Sequence, residues 1–280
     1  GLDKVVLKKM GLKSTKPDLS SWNEFLDKYK NPKTTVKIAL IGKYVELQDS
    51  YKSILESFIH SGAVNEVKVE VTAIHSEHIN KNNISEKLEN FNGVLVAPGF
   101  GQRGIEGKIE AIKYVRLNKI PFFGICLGMQ MAVIEFCRNV LNMNGANSTE
   151  MNEKTTYPVI DIMDDQKNII NKGGTMRLGS WNCELNDDSL VHKIYNTNTI
   201  DERHRHRYEF NSEYIKEIEE NGLIASGINI DTGLVEIVEL KNHPWFIGVQ
   251  FHPEYKSTVL NPHPLFISFI SAALKNCNKK

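Results

Sequence analysis

The sequence predicts an α/β fold, with a mostly parallel central sheet, helices on both faces and additional strands in the C-terminal part. From residue 34 onward, short aliphatic runs alternate with stretches of helical period, the signature of repeated strand–helix units. After about residue 157 the spacing changes, and apolar runs follow one another with less helical sequence between them. The 280 residues contain 41% apolar and 24% charged side chains. That is ordinary globular usage, with enough chain to bury a large core.

The first residues form a lead-in. Ser21-Trp22-Asn23-Glu24 matches a capping box and predicts a short helix that Asn31-Pro32 stops. Val36 to Ile41, ending at Gly42, reads as a buried strand. Asp49 or Ser50 caps a helix reaching His60, with Ile54, Leu55, Phe58 and Ile59 on one face. Val67, Val69, Val71 and Ala73 alternate with polar residues as a second strand. Val94 to Ala97 is a third, followed by a glycine-rich turn and a helix over 106–117. Ile120 to Ile125 is a fourth strand and runs directly into a helix over 127–141. The later strands fall at 157–163, 205–210, 223–228, 234–240 and 245–251, before a last helix over 264–275. The segments 142–154 and 164–174 read as loops from their Asn, Asp and Gly content. One domain is expected after residue 33.

Thirty-four Lys and Arg balance 34 Asp and Glu, which argues against a general nucleic-acid binder or a polybasic membrane sensor. No apolar run approaches the ~20 residues a bilayer span needs, and residues 1–9 carry no signal-peptide pattern. Cys126, Cys137, Cys183 and Cys277 are scattered, without zinc-site spacing or a disulfide framework. They point to a reducing, cytoplasmic setting in which the sequons at Asn83 and Asn147 carry no sugar. Gly42-Lys43 after a strand lacks the rest of a phosphate loop.

Only Cys126 has surroundings of a reactive thiol. Gly124-Ile125-Cys126-Leu127-Gly128 stands where a strand meets a helix, as in a nucleophile elbow with cysteine in the nucleophile position. The helix N-terminus favours the thiolate, and its free N–H groups, beginning with Leu127, offer an oxyanion site. His252-Pro253-Glu254 follows a strand and supplies a base with a group to orient it. In an extended stretch, residues two apart point the same way, so both reach one site. Pro98-Gly99-Phe100-Gly101 lies at a strand end where glycine lets backbone N–H groups approach a ligand.

GICLGMQ at 124–130 together with HPE at 252–254 resembles the class I (triad-type) glutamine amidotransferases. The supporting stretches are GKYVELQDSYKS at 42–53, RGIEGKIEAI at 103–112, NSTE at 147–150, GGTMRLG at 173–179, ERHRHRYEFN at 202–211 and HPWFIGVQFHPEY at 243–255. They narrow the match to the branch whose glutaminase domain is joined to a synthetase half that aminates UTP to CTP. The resemblance implies Cys126 as nucleophile, His252 as general acid/base and Glu254 as its orienter. It implies Gly99 and Leu127 as oxyanion donors, and Gln130, Glu150 and Arg207 as the residues that hold L-glutamine. A carboxylate for the α-ammonium and a guanidinium for the α-carboxylate suit that zwitterion.

The glutaminase reaction needs no cofactor on this reading. ATP, Mg and UTP belong to a synthetase half preceding Gly1, GTP is the implied activator, and the tetramers of the family form largely through that half. Residues 1–33 then resemble the interdomain linker and 34–280 the glutaminase domain. The family turn usually reads PGGFG. Here it is Pro98-Gly99-Phe100-Gly101, one glycine shorter, so either the loop tightens with Gly99 still donating or the oxyanion hole is weaker. Two other readings stay open, a γ-glutamyl hydrolase or peptidase on the same scaffold, and a docking or regulatory module with an idle triad. Arg203 to Arg207 could form a nucleic-acid patch, but the flanking Glu202 and Glu209 favour a solvated strand face. Residues 172–179 read equally as a lid or an ordinary surface loop.

Overall fold

A computed structural model describes residues 1–13, 16–162 and 176–278. The lead-in holds two helices, α1 (Leu2–Lys9) and α2 (Ser20–Lys30). The first was missed because it is short and exposed on all sides. The second begins two residues earlier than the capping box implied, with Leu19 in place of Ser21 at the N-cap. Ser21 lies inside it, and the Asp18 side chain accepts the Ser20 N–H instead (2.9 Å). Phe25 of α2 meets the His60 ring edge-on at 6.3 Å, which seats this helix on the body of the fold.

The body alternates as expected: β1 (Thr34–Gly42), α3 (Lys52–Val64), β2 (Val67–His75), α4 (Ile84–Leu88), β3 (Gly93–Val96), α5 (Ile105–Leu117), β4 (Phe122–Ile125) and α6 (Leu127–Asn139). Helix α3 starts after a 3-10 turn at Gln48–Tyr51, so Asp49 and Ser50 lie in that turn and do not cap the helix. The later part runs β5 (Asn147–Ser148), β6 (Pro158–Ile162), β7 (Arg177–Leu185), α7 (Leu190–Tyr195), β8 (Thr199–His206), β9 (Tyr208–Phe210), α8 (Ile215–Glu220), β10 (Leu223–Ile228), β11 (Val235–Leu240), β12 (Phe246–Val249) and α9 (Pro264–Cys277). Sequence reading missed β7, whose central part carries Gly179 and Asn182, residue types of low strand propensity. The proposed loop at 164–174 lies outside the described residues, as do 172–175 of the segment 172–179, whose last three residues open β7.

Nine strands form one sheet in the order β2-β1-β3-β4-β12-β11-β10-β7-β8. The first five are mutually parallel, and the remaining four join antiparallel. A small second sheet, β5-β6-β9, stands apart from it. The period-two alternation of the strands divides the core. Ala39, Ile41, Val94, Val96 and Phe122 face α5 and α6, while Ile38, Leu40, Leu95 and Phe123 face α3 and α9. On the second face Phe123, Trp245, Phe266 and Phe269 pack ring against ring, with centroids 5.2–5.7 Å apart. The consequence for chemistry is positional. Strands β3, β4 and β12 are neighbours, and their carboxyl ends open on one side, where α/β sheets place their ligands.

Candidate active site

Cys126 follows β4 directly and forms the N-cap of α6, with φ 52° and ψ −105°. A non-glycine residue held at positive φ marks a strained turn, and the surroundings hold it there. The Cys126 N–H donates to the Val249 carbonyl of β12 (2.7 Å), and its carbonyl accepts the Gln130 N–H (3.2 Å). The flanking glycines permit close approach. A Cβ on Gly128 would stand 2.2 Å from the Val96 carbonyl oxygen, and one on Gly124 would stand 2.8 Å from the Gly128 carbonyl. Their task is thus to let α6 lie against β3 and β4, more than to uncrowd the sulfur. Gly128→Ala is expected to cost about 2–3 kcal/mol, because the new methyl group would run into the Val96 backbone carbonyl. Chemical denaturation would show it, and an unchanged midpoint would contradict the tight crossing.

His252 follows β12, the neighbour of β4, so the sheet order brings residues 126 and 252 together. Its N–H donates to the Arg203 carbonyl (2.8 Å), and Nδ1 lies 2.8 Å from Glu254 Oε1. The backbone at Pro253–Tyr255 is a 3-10 turn, so the expected extended geometry is corrected: the turn folds the carboxylate back onto its own histidine. Both side chains are buried, and His252 Nε2 makes no hydrogen bond among the described residues. Burial opposes charge on this ring, but the neighbouring Cys126 sulfur and the Glu254 carboxylate outweigh it and raise its pKa to about 11. The Tyr255 ring stacks on the imidazole at 5.1 Å.

The other expected residues lie around this pair. Gln130 is buried on α6, and its Nε2 donates to the Tyr208 carbonyl (2.9 Å) and to Gln250 Oε1 (3.1 Å). Gln250 in turn points Nε2 at the Cys126 sulfur, 3.6 Å away. Sequence reading did not single out Gln250, although it stands two residues before His252 at the end of a strand. Glu150 follows β5, and its Oε1 accepts the Gly101 N–H (2.7 Å), which ties it to the Pro98–Gly101 turn. Arg207 occupies the step where the chain leaves β8 in the large sheet and enters β9 in the small one. Arg207 and Glu150 both lie within electrostatic range of the Tyr208 phenol, whose pKa is raised by burial first and by Glu150 next. Gly99 packs beside Leu127: a Cβ built on it would stand 3.5 Å from the Leu127 side chain.

The basic stretch before Arg207 is not one solvated face. Arg203 and Arg205 are exposed, whereas His204 and His206 point inward and are buried. His204 Nδ1 and His206 Nε2 are 2.8 Å apart, in a layer with Arg177, Glu209 and Glu236. Burial above all drives His204 to a pKa of about 2, so the ring is neutral. The R-H-R-H-R alternation, read at period two, carried that division.

A cavity of about 650 Å³ lies beside Glu254 and Tyr255, lined also by Trp22, Lys52, Glu56 and Leu260. Neither Cys126 nor Gly99 lines it. Among the described residues no group of three or more His, Cys, Asp or Glu could hold a metal ion, and no helix is long and apolar enough to cross a membrane.

A thiol at a strained strand–helix elbow, a buried His–Glu pair just past the neighbouring strand and a glycine turn on the other neighbour form the arrangement that a cysteine hydrolase of α/β type would use. The chain belongs to the class I glutamine amidotransferases, whose family model, "Glutamine amidotransferase class-I", matches residues 46–272. It is similar to CTP synthase of Flavobacterium johnsoniae, 66% identical over 281 residues that cover 100% of this chain and 52% of the relative. CTP synthase of Bacteroides fragilis is 56% identical over 98% of this chain and 52% of its own length. The chain thus spans about half the length of these relatives. The solved CTPS glutaminase domain of Trypanosoma brucei with bound acivicin superposes with a TM-score of 0.81 at 39% identity, covering 86% of this chain and 94% of that one. The branch to which the motifs pointed is therefore the one the relatives occupy.

Proposed function

We propose that this chain is the glutaminase domain of a CTP synthase and hydrolyses L-glutamine to glutamate and ammonia through a thioester on Cys126. Residues 1–33 serve as the linker from a synthetase half, and 34–280 form the glutaminase domain. The observation that carries the reading is the convergence of Cys126, His252 and Glu254 on adjacent parallel strand ends, tied by the 2.8 Å His252–Glu254 contact.

In the mechanism, the Cys126 thiolate attacks the side-chain amide carbon of glutamine. The Leu127 N–H at the start of α6 and the Gly99 N–H receive the oxyanion charge. His252, protonated beside the thiolate and Glu254, gives its proton to the leaving ammonia. The raised pKa has a consequence for that step. Once the sulfur is acylated its negative charge is gone, the largest support for the imidazolium disappears, and the ring becomes a better acid. Neutral His252 then takes a proton from the water that cleaves the thioester, and glutamate leaves. Glu150 faces the α-ammonium and Arg207 the α-carboxylate, while Gln130 and Gln250 hold the sulfur side of the site in register. The Gly101 N–H on Glu150 supports a tightened turn with Gly99 still donating over a weaker oxyanion hole.

In a full-length relative the ammonia would aminate UTP to CTP in the synthetase half with ATP and Mg, with GTP as activator and a tetramer as the assembly. Incubation with a glutamine-analogue electrophile tests the site without the other half. Stoichiometric labelling at Cys126, with glutamine hydrolysed faster than γ-glutamyl peptides, is expected. Preference for the peptides would point to a γ-glutamyl hydrolase, and an unlabelled wild-type chain would point to an idle module.

A further inference from the structure

Two lysines are buried beneath the Pro98–Gly101 turn, and the nucleophile chemistry above uses neither. Lys108, on α5, is fully buried, and its ammonium donates to the Ala97 carbonyl (2.7 Å). Lys43, just after β1, is 4% exposed and donates to the Gly101 carbonyl (3.2 Å). With Glu150 taking the Gly101 N–H at 2.7 Å, the turn is held at both ends by charged groups. Isolated charge in a protein interior is costly, and a Met or Leu at position 108 would fill the same space without that cost. Among the described residues Lys108 has no carboxylate ion pair. Burial, then Lys43, lowers its pKa to about 7, and the anion that works the other way is the Cys126 thiolate. A Cβ on Gly99 would stand 3.9 Å from the Lys108 nitrogen, so the ammonium lies close to the residue that supplies one oxyanion donor in the proposed function.

We infer that Lys108 is a positioning residue for the nucleophile and its oxyanion hole, holding the Ala97 carbonyl so that the following amides face Cys126 and placing positive charge beside the sulfur. This rests on Cys126 being the nucleophile of a glutaminase.

Lys108→Met keeps the volume and removes the charge. It is expected to lower kcat for glutamine hydrolysis about ten- to a hundredfold, with KM little changed, and to slow alkylation of Cys126 in parallel. An unchanged kcat and alkylation rate in a folded Lys108→Met chain would overturn the inference and leave Lys108 as packing alone. The unmutated chain provides a second measurement, independent of whether the variant folds. With 13Cε-labelled lysine, capping Cys126 as a methyl disulfide removes the thiolate and should move the Lys108 titration to lower pH. A titration that stays in place would equally overturn the coupling. If the unmutated chain neither hydrolyses glutamine nor labels at Cys126, the glutaminase reading itself has failed, a result distinct from either of these.

Discussion

Replacing Cys126 by Ala is expected to abolish glutamine hydrolysis, a loss of at least about 10⁴-fold, because no other group can form the thioester. The remaining cysteines offer no substitute. Cys137 and Cys183 are buried, and burial above all pushes both thiols up, that of Cys137 to about 12 and that of Cys183 well above its ordinary value. Cys277 sits at the far end of α9. The variant should fold, since Ala fits the space; it loses the Gln250 contact at 3.6 Å and the sulfur's support of charge on His252. Steady-state ammonia release, with circular dichroism as the control for folding, makes the measurement. Hydrolysis surviving in Cys126→Ala would remove the mechanism altogether.

Glu254→Gln is expected to lower kcat by about 10² to 10⁴ while leaving the chain folded. The amide is isosteric, but it no longer carries the charge that helps hold the imidazolium in a buried setting. The His252 pKa, raised to about 11 against the opposing effect of burial, should fall toward the ordinary 6.5. The sign for stability follows from the raised value. Protonation of His252 contributes stability that is fully present below about pH 6.5 and is lost as pH rises through about 11. The gap in Tm between wild type and Glu254→Gln should therefore be widest in neutral and mildly acid solution and close toward pH 11. NMR titration of the His252 ring, alongside Tm against pH, checks both statements. A ring that titrates near pH 11 in the variant would show that Glu254 does not hold the charge.

Much of this site was legible in the chain because its parts are local. The elbow at Gly124–Gly128 is a five-residue unit that records a strand, a turn and a helix start together. Cys126, His252 and Glu254 could be named from two short motifs, and β10 was placed to the residue at Leu223–Ile228. What escaped reading depended on distant neighbours. Gln250 takes its meaning from the Cys126 sulfur, 124 residues away in sequence. Lys108 was not singled out in the sequence, and only the packing of α5 puts it in the core. Strand β7 exists because β8 pairs with it along eight positions, Arg177 opposite His206 through Glu184 opposite Thr199. Nothing in its own residues demands an extended backbone.

The sequence by itself determined the chemistry available: a thiol at a helix start, an imidazole with its carboxylate two residues on, and glycines that only a close backbone crossing requires. It also determined the alternation of strand and helix, because hydrophobic period is written locally. Only the tertiary structure decided which strand ends meet. The order β3-β4-β12 places the turn, the nucleophile and the base side by side, although β12 lies more than 120 residues from β4 along the chain. Burial decided the rest. A charge is cheap in water and expensive inside, so enclosure and close neighbours, neither visible along the chain, give Lys108 a pKa near 7 and His252 one near 11.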